Sequence, residues 1–426
     1  MTTLTPVDVS ALDGPEWLRL RREAAARRAA ETPLPSVGEE IWRYSRIDEL
    51  DLDRFQAPSS RPEAPPGLPG GLSRWLEPVA DRAALLVTVN GHLARRELAA
   101  DAAAAGLVVG AAPEGALGSV MAEPTDAFAQ LNDALMADPL LVAVPERATI
   151  TAPVVVLHWF DAEAAAAYPR LVVRAEAASS LTVVEIFVSS DVGGFVAPVV
   201  ELAAERDARL GYLNVQRLGR RVWQVASQVA AVGTQAHLVS STAAFGGEYA
   251  RVRTDCRLVG RGAHGDLVSL YYGDGDQMLD FRTFQDHQAP DTTSDLLFKG
   301  VVADRSHSVY SGLIRVEREA RGTNAFQTNR NIKLGEHAWA ESVPNLEIEN
   351  NDVKCSHAST VGPIDAEQRF YLESRGVPPE VADRLIVNGF FDEVIERLPV
   401  TALAPLVRSE VTAKLSGLDN PGGPAA

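Results

Sequence analysis

The sequence predicts a mainly β protein. Its centre is expected to be a right-handed parallel β-helix, or solenoid, flanked by a mixed, partly helical N-terminal region and by C-terminal helices. The main observation is a faint repeat, in which small or polar residues precede one anchor residue at intervals of 28 to 30 residues. The anchors are Leu181, Leu210, Leu238, Leu267, Leu296, Phe326 and Cys355. Such a steady period is typical of stacked units that bury their apolar faces against one another.

The repeating units contain short strands and Gly- and Asp-containing turns, without a long helical pattern between them. This composition favours a parallel β-helix. A leucine-rich repeat horseshoe is disfavoured because its Leu-x-x-Leu-x-Leu signature is missing. A β-sandwich stays open as the alternative architecture.

Three regions follow from the composition: a mixed N-terminal region over 1–138, the β-helix over 139–364 and a C-terminal helical region over 365–426. In the first region, the Asn90-Gly91 pair after an alternating run is a strong hairpin signal. The predicted N-terminal elements are a helix over 15–31, a Pro/Gly linker over 58–71, a strand over 85–89 and a helix over 126–137.

The central region has the alternation of half-buried strands. Over 250–258, Val252, Thr254, Cys256 and Leu258 share one face, and charged residues share the other. Cys256 is therefore predicted to pack in the core.

The C-terminal region returns to helical spacing. Apolar residues three to five positions apart predict a helical stripe after Pro378-Pro379, with a break at Asn388-Gly389. Pro399 and Pro405 are expected to divide the last helices. The stripe consists of Val381, Leu385, Ile386, Phe390, Phe391, Val394, Ile395 and Leu398.

Charge and cysteine content exclude several classes of function. The 426-residue chain has a formal net charge of −17 and a pI near 5.0, which argues against nucleic acid or an anionic membrane as the main partner. No apolar run approaches the ~20 residues that cross a bilayer, and no secretory signal pattern is present. Two cysteines cannot form an all-cysteine tetrahedral metal site, and they fit a reducing cytoplasm.

The most informative stretch is residues 353–357, VKCSH. In a strand, Cys355 and His357 point to the same face, so a thiolate and an imidazole can serve one soft metal centre. The repeat places Cys355 in the inward column of the anchors. His357 falls in a less uniformly apolar column of Val183, Tyr212, Ser240, Ser269, Phe298 and Thr328. Both residues lie in the last coil, where they either pack the end of the core or line a junction with a second solenoid.

Two enzymatic interpretations compete with a metal site. Asp274, Asp276 and Asp280 resemble the carboxylates of carbohydrate-active β-helices, but a Gly/Asp turn between coils is the favoured interpretation. Cys355 and His357 could imitate a nucleophile and its base, but neighbours on one strand face are poorly aimed for proton transfer. The sequence lacks a Walker A motif, so ATP hydrolysis would come from a partner.

A series of short motifs extends over most of the chain and is dense after about Phe281. The motifs are 40–44 (EIWRY), 287–290 (HQAP), Ser294, 299–300 (KG), 311–312 (SG), 344–349 (PNLEIE), 352–357 (DVKCSH), 360–362 (TVG) and 370–376 (FYLESRG). Together they resemble the SufD branch of the SufB/SufD family, subunits of an iron-sulfur cluster assembly scaffold. The sequence departs from the family pattern at Ala358-Ser359, where the family usually has Gly-Ala.

The resemblance implies a non-catalytic cytoplasmic scaffold subunit in a heteromeric complex. It implies that His357 is a metal ligand of a transient iron-sulfur cluster formed at a junction with a SufB-like subunit, with Cys355 as a second candidate ligand. It also implies that the C-terminal helices dock a SufC-like ATPase of the ABC class, and that reduced flavin binds some complexes of the family. A homodimeric store or carrier of iron-sulfur clusters is a second interpretation.

Overall fold

A computed structural model describes residues 9–56 and 72–417 of the chain. Within them, two sheets face each other along one solenoid of about eight turns. The first sheet has the order β2-β1-β5-β8-β11-β13-β15-β17-β19-β21. Its strands are β1 (Ala84–Val89), β2 (His92–Leu98), β5 (Val154–Phe160), β8 (Ser180–Ser189), β11 (Arg209–Arg217), β13 (His237–Ala244), β15 (His264–Gly273), β17 (Thr293–Ala303), β19 (Thr323–Leu334) and β21 (Val353–Gly362).

The second sheet has the order β20-β18-β16-β14-β12-β10-β7-β4-β3, with β6 and β9 paired beside β12. Its strands are β3 (Val108–Ala111), β4 (Leu140–Val144), β6 (Ala165–Ala167), β7 (Arg170–Ala175), β9 (Gly194–Val196), β10 (Val199–Ala204), β12 (Val222–Val232), β14 (Tyr249–Leu258), β16 (Met278–His287), β18 (His307–Val316) and β20 (Trp339–Ile348). From β10 to β21 the chain alternates between the sheets, and equivalent strands of successive coils pair in parallel. The predicted parallel β-helix is therefore confirmed.

Helices cover the outer faces of both sheets. The outer face of the second sheet packs against α1 and α4, and the outer face of the first packs against α2, α6 and α7. The α-helices are α1 (Glu16–Glu31), α2 (Ser73–Leu76), α3 (Ala100–Ala104), α4 (Ala127–Leu135), α5 (Ala366–Ser374), α6 (Pro379–Ile395) and α7 (Ala404–Leu415). Short 3₁₀ turns occur at Glu40–Trp42, Ile47–Glu49, Leu52–Arg54, Glu77–Val79 and Thr401–Leu403.

The predicted N-terminal elements form where their sequence signals lie. The helix over 15–31 is α1, and Asp126 caps α4 by accepting hydrogen bonds from two backbone N–H groups. The hairpin forms through Asn90 and Gly91, both with positive φ, and β1 then pairs in parallel with β5. The predicted linker over 58–71 lies outside the described residues.

Two predicted details differ in the structure. The first is the repeat register: Cys355 aligns with only three of the other six anchors, because the coils differ in length. Its inward column contains Leu181, Leu210, Leu238, Gly265, Ser294 and Ala325. Leu267 and Leu296 lie in the next inward column, a shift of two residues that keeps their orientation. That column is the one of His357, so its predicted members Ser269, Phe298 and Thr328 are wrong, and Leu267, Leu296 and Gln327 stand in their place. Phe326 is displaced by one residue, which turns its side chain outward to 41% exposure.

The second difference is at Asn388-Gly389, where the predicted break is wrong. Helix α6 runs without interruption from Pro379 to Ile395. A glycine inside a helix costs only about 1 kcal/mol relative to alanine, and Val387 and Phe391 bury their side chains against the sheet on either side of it. The packing of this helix outweighs the local preference.

The core between the sheets is apolar for most of its length, and Cys256 is fully buried in it, as predicted. None of the helices in the described part of the chain combines the length and apolar character that spanning a bilayer requires.

Candidate functional site

The last coil of the solenoid ends in two sheet edges. β21 pairs with β19, β20 pairs with β18, and both stand at the ends of their sheets in the described part of the chain. An unpaired parallel edge offers backbone N–H and C=O groups to another chain. Among the described residues, no strand pairs with either edge at this end.

Cys355 occupies the inward face of this coil. It lies opposite Ala325 and packs against a small apolar cluster that includes Ile314 and Val316. Burial raises the pKa of the Cys355 thiol, although a backbone hydrogen bond from Ala325 works in the opposite direction. The thiol is half-buried and forms no disulfide, so it can act either as a packing group or as a metal ligand.

His357 lies two residues further along the same strand face and is exposed. Its neighbour on the coil below is Gln327, which is 1% exposed and donates its amide to the hydroxyl of Tyr310 over 2.6 Å. Since the register of His357 is inward, only the absence of a further coil in the described chain leaves the imidazole open to solvent. The sequence prediction that Cys355 and His357 share a face agrees with this register.

The two sheets meet across the open end through a hydroxyl pair. Ser359 on β21 lies 2.7 Å from Ser342 on β20, Oγ to Oγ. Ser359 belongs to the same inward row as Cys355 and His357, so this contact fixes the side of the strand on which the row lies.

The residues around His357 do not complete a metal site in the described part of this chain. In the described residues, three His, Cys, Asp or Glu side chains come close enough to hold one ion only at His237, His264 and Asp266. This group lies on another part of the first sheet. A cluster bound at His357 would therefore need ligands from a second chain, because one imidazole cannot hold a cluster.

Most upstream motif residues have structural roles. His287 is fully buried and hydrogen-bonds Thr292 and Ser294, each over 2.8 Å. Burial lowers the pKa of His287 to about 4, so the ring is neutral near pH 7. This histidine ties β16 to the turn that begins β17.

The glycine motifs allow close packing in the same part of the core. A Cβ at Gly300 would overlap the ring of Tyr271, and one at Gly312 would overlap the amide of Gln327. The neighbouring Lys299 reaches the C-terminal helices, where its Nζ lies 2.8 Å from the Phe390 carbonyl oxygen. These motifs therefore build the coils beneath β21.

The N-terminal motif at 40–44 packs on the outer face of the second sheet. The guanidinium of Arg251 lies 3.8 Å from the centre of the Trp42 ring and donates to the Ile41 carbonyl. Arg251 and Arg282 are held by the buried carboxylate of Asp280.

The three aspartates of the carbohydrate-active interpretation are all engaged in ion pairs. Besides Asp280, Asp274 is bound by Lys414 and Arg220, and Asp276 by Arg305. These three aspartates therefore stabilise the solenoid, and none of them is left without an ion pair.

Comparison with known proteins decides the family. Residues 158–390 match the family model described as SUF system FeS cluster assembly, SufBD core domain. The chain belongs to the SufBD family. This SufBD protein is 35% identical to an iron-sulfur cluster assembly SufBD family protein of Mycobacterium tuberculosis, over 68% of this chain and 74% of that protein.

Two further relatives extend the comparison. A SufBD family protein of Mycobacterium leprae is 38% identical over 52% of this chain and 58% of its own length. The iron-sulfur cluster assembly protein SufD of Escherichia coli is 28% identical, with 91% of this chain and 90% of SufD aligned. Iron-sulfur cluster assembly is therefore the process to which this SufBD protein belongs, and the alignment with SufD supports the SufD branch in part.

The SufBD chain carries a second exposed surface at its C-terminal helices. Phe370, Tyr371 and Leu385 are 71%, 57% and 52% exposed, respectively. Leu385 lines a groove of about 890 Å³ between the ends of β19 and β21 and helices α5 and α6, and it shares a second, shallower groove with Tyr371. The predicted helical stripe is thus divided, because Phe391 and Val394 pack on the solenoid while Leu385 faces solvent.

Proposed function

We propose that this protein is a non-catalytic scaffold subunit that pairs with a SufB-like chain through its last coil and forms a nascent iron-sulfur cluster at the junction. The observation that carries the proposal is the open coil, which exposes His357 beside an unpaired strand edge. A partner strand on β21 would bring its own thiolate or carboxylate ligands towards the imidazole.

His357 is the primary ligand in this proposal, and Cys355 is a secondary one. The imidazole is accessible, whereas the Cys355 thiol is half-buried and its pKa is raised by burial. Binding of iron would deprotonate the thiol only if the junction moved Cys355 away from its apolar neighbours.

A SufC-like ATPase would dock on α5 and the start of α6. The exposed aromatic rings of Phe370 and Tyr371 are suited to anchor an interface, since aromatic residues dominate interface energetics. Lys299 joins α6 directly to β17 through Phe390 and Glu393. Movement of the helices by the ATPase would therefore be transmitted to the coils below the junction.

Two free thiols fit a reducing compartment such as the cytoplasm. The same open edge could accept a second copy of this chain, which is the homodimeric alternative; sedimentation of the isolated chain and of the mixture with a SufB-like partner separates the two assemblies. Reduced flavin stays a prediction from the family resemblance.

The test is co-expression with SufB-like and SufC-like partners, followed by anaerobic purification and iron and sulfide analysis. We expect His357→Ala to lower the iron and sulfide content at least several-fold while the complex still co-purifies. His337→Ala is the matched control, because His337 is exposed but lies outside the inward row of β21. Equal cluster content in the wild type and His357→Ala would contradict the ligand role.

The ATPase surface has its own test. Phe370→Ala with Tyr371→Ala should weaken retention of the SufC-like partner and leave the SufB-like partner bound. Leu20→Ala, which removes a 58% exposed leucine from α1, is the control. Undiminished retention of the ATPase would place its docking site elsewhere.

A further inference from the structure

A second group of metal-ligating side chains lies on the outer face of the first sheet, away from the last coil. His237 and His264 are the first residues of β13 and β15 and face each other directly across the parallel pairing. Asp266 lies two residues after His264 and therefore shares its face. Their strands are separated from β21 by β17 and β19.

The three side chains converge on one point. The Nε2 atom of His237 lies 2.9 Å from Oδ2 of Asp266, and the Nε2 atom of His264 lies 3.1 Å from Oδ1. The centres of the two imidazole rings are 4.4 Å apart. All three ligand atoms lie within 4.8 Å of one another, and no other such group occurs in residues 9–56 and 72–417.

These distances are close to the separation of two ligand atoms that bind the same metal ion. Zinc binds imidazole nitrogen and carboxylate oxygen at about 2.0–2.2 Å, so two tetrahedral ligand atoms stand about 3.3 Å apart. Rotation of the side chains would lengthen the two imidazole–carboxylate contacts of 2.9 and 3.1 Å by a few tenths of an ångström, and the two imidazole nitrogens already lie within 4.8 Å of each other. The backbone need not move, since the two histidines are fixed by strand pairing.

We propose that His237, His264 and Asp266 form a binding site for one divalent transition-metal ion of the zinc class. Two imidazoles and one carboxylate form a ligand set that borderline metals prefer, and they leave at least one position for water or another donor. The ion takes the place of the protons on the two Nε2 atoms: each imidazole binds it through Nε2 as the neutral ring protonated on Nδ1, and any excess proton is released to solvent. This site is independent of the cluster junction in position and in ligands.

The charge and exposure of the group fit this role. The side chains of His237, His264 and Asp266 are 41%, 40% and 17% exposed, so an ion can enter from solvent. Burial raises the pKa of the Asp266 carboxyl, but hydrogen bonds from the two histidines outweigh it and hold that pKa well below its usual range. The carboxylate is therefore a charged donor at neutral pH.

One cation competes with the ion for Asp266. The guanidinium of Arg397, just beyond α6, lies 3.7 Å from Oδ1 of Asp266 and 2.7 Å from Oδ2 of Asp295. Its closer partner is Asp295, so it keeps an ion pair when Asp266 turns to the metal. The site consequently lies where the C-terminal helices meet the solenoid. A bound ion would place a second positive charge there, beside the Arg397 guanidinium.

The test uses the full chain without a polyhistidine tag, titrated with Co²⁺ and followed by visible absorption and calorimetry. We expect one Co²⁺ per chain, displaced by Zn²⁺. His237→Ala, His264→Ala and Asp266→Asn should each raise the Kd at least tenfold and weaken the Co²⁺ absorption, with circular dichroism unchanged.

A control separates this site from other histidines. His337→Ala should bind Co²⁺ like the wild type. Because none of the three proposed ligands lies in the last coil, a failure of the cluster proposal leaves this one intact. The proposal is overturned if the wild type binds Co²⁺ no tighter than about 1 mM, or if the double variant His237→Ala/His264→Ala gives the same stoichiometry and spectrum as the wild type.

Discussion

Gln327 and His357 lie opposite each other in register on neighbouring coils, yet Gln327 is buried and His357 is exposed. The difference arises because the coil above Gln327 covers it, whereas no described coil covers His357. The same inward column thus provides a buried hydrogen bond in one coil and an accessible imidazole in the next.

This relationship predicts that two alanine substitutions differ in how much stability they remove. His357→Ala should change the free energy of unfolding by less than about 0.5 kcal/mol, since an exposed side chain is removed. Gln327→Ala should cost about 1–3 kcal/mol, because it leaves a cavity and removes the hydrogen bond to Tyr310. Urea unfolding of the isolated chain measures both. A large loss for His357→Ala would mean that the ring supports the fold.

The glycines of the core and of α6 should respond differently to an added methyl group. Gly300→Ala should destabilise the chain by about 1–3 kcal/mol, because the Cβ would overlap the buried Tyr271 ring. Gly389→Ala should stabilise it by about 0.5–1 kcal/mol, because the Cβ meets open space in an uninterrupted helix. Thermal unfolding of the two variants compares them; destabilisation by Gly389→Ala would indicate a kinked helix.

The two cysteines should differ in reactivity. Cys256 is fully buried, and burial raises the pKa of its thiol to about 12, whereas Cys355 is half-exposed. A thiol reagent should therefore modify one residue per native chain, identified as Cys355 by peptide mass spectrometry, and two residues in denaturant. Its rate should rise with pH because burial also raises the pKa of Cys355. Modification of Cys256 in the native chain would contradict the buried position.

Acid should weaken the fold partly through His287. The folded chain holds this ring neutral down to about pH 4, whereas in the unfolded chain it titrates near 6.5. The unfolded state therefore binds more protons between these values, and stability falls as pH falls through this window, by up to about 3 kcal/mol. Urea unfolding from pH 6.5 to 4 should show a shallower loss for His287→Gln than for the wild type. Equal slopes would show that another group dominates.

The strand and helix patterns were predictable where neighbours along the chain decide the structure. The alternation over 250–258, the turn at Asn90-Gly91 and the helix that follows Asp126 all form as predicted. The register was only partly predictable, because Phe326 has the right chemistry for an anchor but the wrong number of residues before it. A repeat period averaged over the coils does not reveal that single coils differ by one or two residues.

The sequence alone therefore determined the β-helix, its helical flanks and the shared face of Cys355 and His357, since these follow from periodicity and local turn chemistry. The tertiary structure decided which faces stay uncovered. It left His357 open at the end of the stack and brought His237 next to His264 and Asp266 from separate coils. Contacts between residues of different coils depend on the exact length of each turn and on what packs over each sheet, and neither quantity is contained in a local pattern.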